Sequence, residues 1–311
     1  MSRATDMAVF VGGVRLANPV LAASGTFGYG REYSPYLEPG AIGGLVTKGV
    51  SLQPRAGNPP PRIVETACGM LNAIGLANVG LNEFLAHKLP WLAEQPGAVV
   101  VNLYGESVGE FAELARRLGA EPGVDALELN VSCPNVKEGG MAFGCHPGAV
   151  GEVTAAAVAE AQGKPVWVKL TPNVTDLAPM ALAAAQAGAQ AVSLINTLLA
   201  MAIDAGTRRP KLANVVGGLS GPAVKPVGLR MVWQVANALK AEHPSVDVVG
   251  LGGIMSGIDA AEYLIAGAKA VQVGTASFTD PAAAGRIAAE LAAYCAEQGV
   301  SAAELSGSLR I

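Results

Sequence analysis

Eight times along the chain a short run of β-branched and other apolar residues gives way to a longer Ala- and Leu-rich stretch of helical character. The runs are 18–24, 43–49, 98–104, 124–132, 165–171, 191–197, 246–252 and 269–275. Strands that alternate with helices build βαβ units around a parallel sheet. Eight such units predict a closed (β/α)8 barrel, an α/β fold, in preference to an open doubly wound sheet. With 311 residues the chain has room for one barrel of about 250 residues plus insertions. No low-complexity linker divides it, so a single domain over 1–311 is expected. Hydrophobic residues make up 51% and charged ones 15%, a balance that supplies a large core.

Details of spacing refine this expectation. Segment 107–119 reads as a helix capped by Ser107 and ending at Gly119. Ahead of the first strand, VFVGGVRL (9–16) reads as a β-hairpin turned at Gly12-Gly13, placed as a plug under the barrel. Two connections, 50–78 and 198–222, are too long for simple βα loops. Both follow strands and therefore lie on the C-terminal face, where long loops carry function.

Several function classes are excluded at this stage. The formal net charge is −4 and no basic run offsets it, which argues against nucleic acid. No stretch reaches 18 uninterrupted apolar residues and the N-terminus has no signal-peptide core, so a cytoplasmic protein with no membrane attachment is expected. Cys68, Cys133, Cys145 and Cys295 form no C-x-x-C pair, and His87, His146 and His243 are far apart. A metal site or an iron–sulfur cluster on this chain is not expected. Cys68 and Cys295 read as packing residues.

The strand ends carry the chemistry. In order they offer Ser24, Lys48, Asn102, Asn130 with Ser132 and Cys133, Lys169, Asn196-Thr197, Gly252-Gly253 and Gly274-Thr275. Barrel active sites are assembled on that face from several strand ends. Glycines after strands seven and eight let backbone N–H groups approach a phosphate, with a helix N-terminus behind them. Lys48 and Lys169 read as lysines without carboxylate partners, Glu128 being the nearest candidate, and so imply an anionic ligand; a Schiff-base lysine is the alternative. Cys133 lies in a polar, Gly-rich loop beside Asn130, Ser132 and Asn135, a setting for a general base. Gly139-Gly140 and Gly144 read as hinges of a lid over 133–148.

At these residues the sequence resembles the class 1 dihydroorotate dehydrogenases. The stretches that carry the likeness include ASGTFGYG (23–30), GMLNAIGLANVG (69–80), NVSCPNVKEGG (130–140) and VVGGLSGPAVKPV (215–227). They run from the first strand to the last. The resemblance implies FMN as cofactor, dihydroorotate as substrate and orotate as product in pyrimidine (UMP) synthesis. It implies Cys133 as the base that removes the C5 proton while hydride leaves C6. FMN would be held by Ser24, Lys48, Asn102, Asn130, Lys169, Ile195, Gly221, Gly252, Gly253, Gly274 and Thr275. The pyrimidine would be held by Lys48, Asn72, Ile74, Gly75, Leu76, Asn130, Asn135, Asn196 and Thr197. Within the class the wording is similar to the NAD-linked subclass 1B, whose catalytic chain forms a homodimer core paired with an FAD and [2Fe–2S] subunit in a heterotetramer. The chain has no complete G-x-G-x-x-G fingerprint, in keeping with electrons leaving through such a partner. The alternatives are the fumarate-using subclass 1A, another flavin barrel such as dihydrouridine synthase, and a Schiff-base aldolase.

Overall fold

In a computed structural model, described over residues 5–132 and 143–311, eight parallel strands close into a barrel. They are β1 (Val20–Ala22), β2 (Gly44–Val46), β3 (Ala98–Leu103), β4 (Ala126–Asn130), β5 (Val166–Lys169), β6 (Ala191–Leu194), β7 (Asp247–Leu251) and β8 (Ala270–Val273). Each pairs with its sequence neighbours, and β8 closes on β1 through Val271↔Val20. All eight expected runs contain a barrel strand, shorter at the ends than the apolar run itself.

Side-chain alternation sorts each strand between two cores. Val99, Val101, Leu103, Leu127 and Leu129 face outward and pack with the helices. Ala98, Val100, Ala126, Trp167, Ala191 and Ala270 face inward and fill the lower barrel. The helices meet the strands with matching stripes. Helix Val108–Gly119 buries Phe111, Leu114, Ala115 and Leu118, one face at spacings of three and four. Its N-cap Ser107 accepts from the Glu110 N–H at 3.2 Å, as its sequence predicts.

The hairpin plug is present. Strands Val9–Val11 and Val14–Leu16 pair antiparallel around Gly12-Gly13. The Gly12 carbonyl accepts from Trp167 Nε1 at 3.0 Å, and its N–H donates to Asp247 Oδ2 at 2.8 Å. Trp167 and Asp247 begin β5 and β7, so the hairpin seals the N-terminal end. A Cβ on Gly12 would fall 2.5 Å from Trp167 Nε1, which together with a φ of 49° requires glycine.

The two long connections are more ordered than loops. Strands Ile63–Thr66 and Gly69–Asn72 from the first join Leu198–Met201 and Val216–Ser220 from the second in one four-stranded antiparallel sheet. Its register sets Gly218 opposite Asn72 and Leu198 opposite Leu219. Segments far apart in sequence thereby meet at the mouth of the barrel. Among the described residues no helix is long and apolar enough to cross a membrane.

Candidate active site

Above the apolar layer the inward positions turn polar. Two residues on from Val100 and Ala126 the same strand faces carry Asn102 and Glu128; two on from Trp167, Ala191 and Ala270 stand Lys169, Ser193 and Gln272. All five side chains are buried. Glu128 is fully enclosed: Oε1 accepts from Asn102 Nδ2 at 2.8 Å, and Oε2 accepts from Ser193 Oγ and Gln272 Nε2, each at 2.7 Å. Lys169 Nζ lies 3.9 Å from Oε1. The expectation that both lysines stand without a carboxylate is thus corrected, because strand parity turns Glu128 inward beside Lys169. The Oδ1 of Asn102 and the Oε1 of Gln272 are buried and have no hydrogen-bond partner among the described residues. Buried acceptors in native proteins are nearly always paired, so these two mark where donors of a bound group belong. A Cβ on Gly49 would sit 3.0 Å from Asn102 Oδ1 and cover it.

Lys48, at the end of β2, keeps no carboxylate within ion-pair distance among the described residues. Burial pushes its ammonium below the ordinary lysine range, and the positive Arg62 pushes in the same direction. A half-buried cation repelled by a second cation is stabilised by an anion placed beside it.

The residues assigned to the pyrimidine converge on the same opening. Asn196 Nδ2 donates to Asn130 Oδ1 at 3.3 Å, and the Thr197 N–H donates to Asn196 Oδ1 at 2.9 Å. Asn72 Nδ2 donates to the Gly218 carbonyl at 3.2 Å, and bare Gly218 leaves room for the Thr197 side chain. The turn at Ile74, Gly75 and Leu76 is held from both sides. Asn58 N–H donates to the Ile74 carbonyl at 2.9 Å, and Asn78 Nδ2 to the Leu76 carbonyl at 2.8 Å. Leu76 has a φ of 58°, a left-handed conformation that a leucine rarely adopts and that clusters at functional sites. Beyond β4, the Ser132 hydroxyl donates to the Lys169 carbonyl at 3.4 Å. Cys133 and Asn135, and the hinge glycines Gly139-Gly140, lie outside the described residues.

The glycine-rich ends of β7 and β8 come together with Gly221. A Cβ on Gly253 would meet the Gly221 carbonyl at 2.8 Å, and one on Gly252 would meet Ile195 at 3.3 Å. Tyr263 pins the Gly252 carbonyl with a 2.7 Å bond from its hydroxyl. Thr275 Oγ1 donates to Ser220 Oγ at 2.8 Å, and Gly274 packs against the β1 loop that carries Ser24. One part of the phosphate expectation changes. The helix after β7, Gly257–Ile265, has its N-terminus occupied by its own capping box of Ser256 and Asp259. The helix after β8, Ala276–Thr279, starts directly at Thr275. Cys68 is also corrected: it is exposed, whereas Cys295 is buried as expected.

Reasoning from sequence missed Glu128 as a hub, and Ser193, Gln272, Ser220 and Arg62 as neighbours of the site. For the first three the signal was available, since counting by twos from the apolar interior residues reaches each of them.

A closed barrel with polar strand ends gathered at its C-terminal mouth defines an enzyme of the (β/α)8 class. The sequence model described as "Dihydroorotate dehydrogenase" matches residues 6–294. Among curated proteins, one from Geobacter sulfurreducens is 58% identical over 98% of this chain and 99% of its own length. Others from Geotalea daltonii and Trichlorobacter lovleyi are 56% and 58% identical, over 98% and 95% of this chain and 99% and 95% of their own lengths. All three are named "Dihydroorotate dehydrogenase B (NAD(+)), catalytic subunit". The chain belongs to the dihydroorotate dehydrogenase family and is an oxidoreductase.

Proposed function

We propose that this chain oxidises dihydroorotate to orotate in pyrimidine (UMP) synthesis, as the catalytic subunit of an NAD-linked dihydroorotate dehydrogenase, with FMN seated in the barrel mouth. The observation that carries the reading is the buried polar layer on β3–β6 and β8, which holds a lysine and two buried amide oxygens without a partner among the described residues. Those groups fit FMN, which offers the isoalloxazine N–H and the ribityl hydroxyls as donors and acquires negative charge on its ring when reduced. Asn102, Asn130, Lys48, Lys169, Ile195 and Ser24 would hold the ring and its chain; Gly221, Gly252, Gly253, Gly274 and Thr275 would hold the phosphate. When bound, FMN supplies a two-electron acceptor for the hydride from C6 of the substrate.

The remaining work belongs to side chains of the protein. Lys48, supported by Arg62, binds the substrate carboxylate. Asn72, Asn130, Asn135, Asn196 and Thr197, with backbone at Ile74, Gly75 and Leu76, fix the pyrimidine plane. The Cys133 thiolate takes the C5 proton onto Sγ. Lys169, fixed in a dry site, offsets the negative charge that accumulates beside it. The whole of 1–311 acts as one domain in the cytoplasm, a homodimer core paired with an FAD and [2Fe–2S] subunit that passes electrons to NAD. The names of the relatives and the missing dinucleotide fingerprint support that assignment.

The test is the visible spectrum of the purified protein under anaerobic conditions. A flavin band that bleaches on adding dihydroorotate is expected. A colourless protein that takes up no FMN, or a bound flavin that stays oxidised with dihydroorotate, overturns the reading. Brisk turnover with fumarate by the chain alone assigns it to subclass 1A.

A further inference from the structure

Glu128 is the one fully buried carboxylate among the described residues, and the chemistry above leaves it without a task. Its neighbours come from four other strands, β3, β5, β6 and β8, and every one presents a donor to it. A carboxylate can only accept, so this arrangement uses both of its oxygens. The consequence falls on the two amides. Asn102 and Gln272 have their NH2 groups committed to Glu128; turning either over would set an amide oxygen against a carboxylate oxygen. Their oxygens must therefore point elsewhere, and both are buried without a partner among the described residues. The charge matters as well. Lys169 and Glu128 together carry no formal net charge, and charges in a dry interior are felt strongly by their neighbours.

We propose that Glu128 is the positioning residue of the cofactor site: it orients the amides of Asn102 and Gln272 so that both offer acceptors to the bound flavin, and it balances the charge of Lys169. This rests on the flavin reading above. A residue that merely holds the barrel together would do neither.

Glu128→Gln separates the two roles. It keeps the shape, but it sets an NH2 group among donors, so one amide must turn over, and it leaves Lys169 uncompensated. In protein reconstituted with FMN, the flavin equilibrium shifts toward the reduced form by about tenfold, which is roughly +30 mV for a two-electron couple. The FMN dissociation constant rises about tenfold, the size of one lost hydrogen bond. Glu128→Asp keeps the charge and returns the potential toward the wild-type value. Should Glu128→Gln fail to fold, Gln272→Met carries the test: it removes one oriented oxygen and keeps the charge, so FMN binding weakens by about tenfold at unchanged potential. Wild-type affinity and potential in Glu128→Gln, with only the melting temperature lowered, overturn the inference and leave the flavin reading standing. For Gln272→Met, wild-type FMN affinity overturns it. A wild-type protein that binds no FMN overturns both.

Discussion

At the scale of single residues, two of the groups proposed to touch substrate, Cys133 and Lys48, have separable signatures. Cys133→Ser replaces a thiol by a much weaker acid at the same position. Flavin reduction by dihydroorotate is expected to slow about 10²–10⁴-fold, the range for loss of a general base, with FMN retained. Stopped-flow reduction in the absence of oxygen measures it, and a near-normal rate removes Cys133 from the role. Lys48 is read through pH. Its ammonium is pushed below the ordinary lysine range by burial and by Arg62. A lowered pKa means that the positive charge is complete in acid and is lost as pH rises through a window centred below the usual lysine value. Orotate affinity should fall across that window, and titration of the oxidised holoenzyme follows it without involving the base. Lys48→Met should weaken orotate by about 10–100-fold near neutrality and flatten this alkaline limb. A limb that persists in the variant assigns the titration to another group.

At the scale of elements, the hairpin plug makes a prediction of its own. Asp247 accepts from the Gly12 N–H, yet burial pushes its carboxyl above the ordinary range, more than this bond and Lys269 draw it down. A raised folded pKa means that the native state holds the proton more tightly than the unfolded chain. Ionisation therefore works against folding above the unfolded pKa, and this penalty disappears as pH falls below it. Asp247→Asn keeps an acceptor for Gly12 and removes the charge. Its melting temperature should equal or exceed that of the wild type at neutral pH, with the advantage shrinking in acid; a clear loss at neutral pH contradicts this. The same elements show what was legible in the sequence. Barrel strands such as AVVVNL declare themselves because both faces are covered and the run is continuously apolar. The hairpin declares itself through Gly12-Gly13. The four-stranded sheet over the mouth does not, since Ile63–Thr66 and Leu198–Met201 alternate between half-buried and exposed positions and Val216–Ser220 carries two glycines. Each pairs locally into a hairpin, and the sheet is completed only where Gly69–Asn72 meets Val216–Ser220, more than a hundred residues away (Asn72 opposite Gly218). The polar strand ends were legible one by one. Counting by twos places Glu128 on the interior, but not as their hub, because only barrel closure brings Gln272 to it.

At the scale of the whole molecule, the contacts argue for one cooperative unit. The plug at residues 9–16 is tied to β5 and β7 through Trp167 and Asp247. Near the C-terminus, the Ala302 N–H donates to the Asp6 carbonyl and the Leu309 N–H to the Ile265 carbonyl. The interior polar layer ties β3, β4, β5, β6 and β8 together, so the barrel cannot open at any of these strands without breaking it. Unfolding followed by calorimetry is therefore expected as a single transition. The proposed FMN would bind the folded chain and not the unfolded one, which makes its affinity a stability term. Free FMN at 100 times its dissociation constant adds about 2.7 kcal/mol, or roughly 4–8 °C for a chain of this size. The apoprotein should melt that much lower than the saturated holoprotein, with the transition still single. Two separated transitions, only one of them moved by FMN, would show that the mouth is a body independent of the barrel beneath it, and the one-domain assignment would give way.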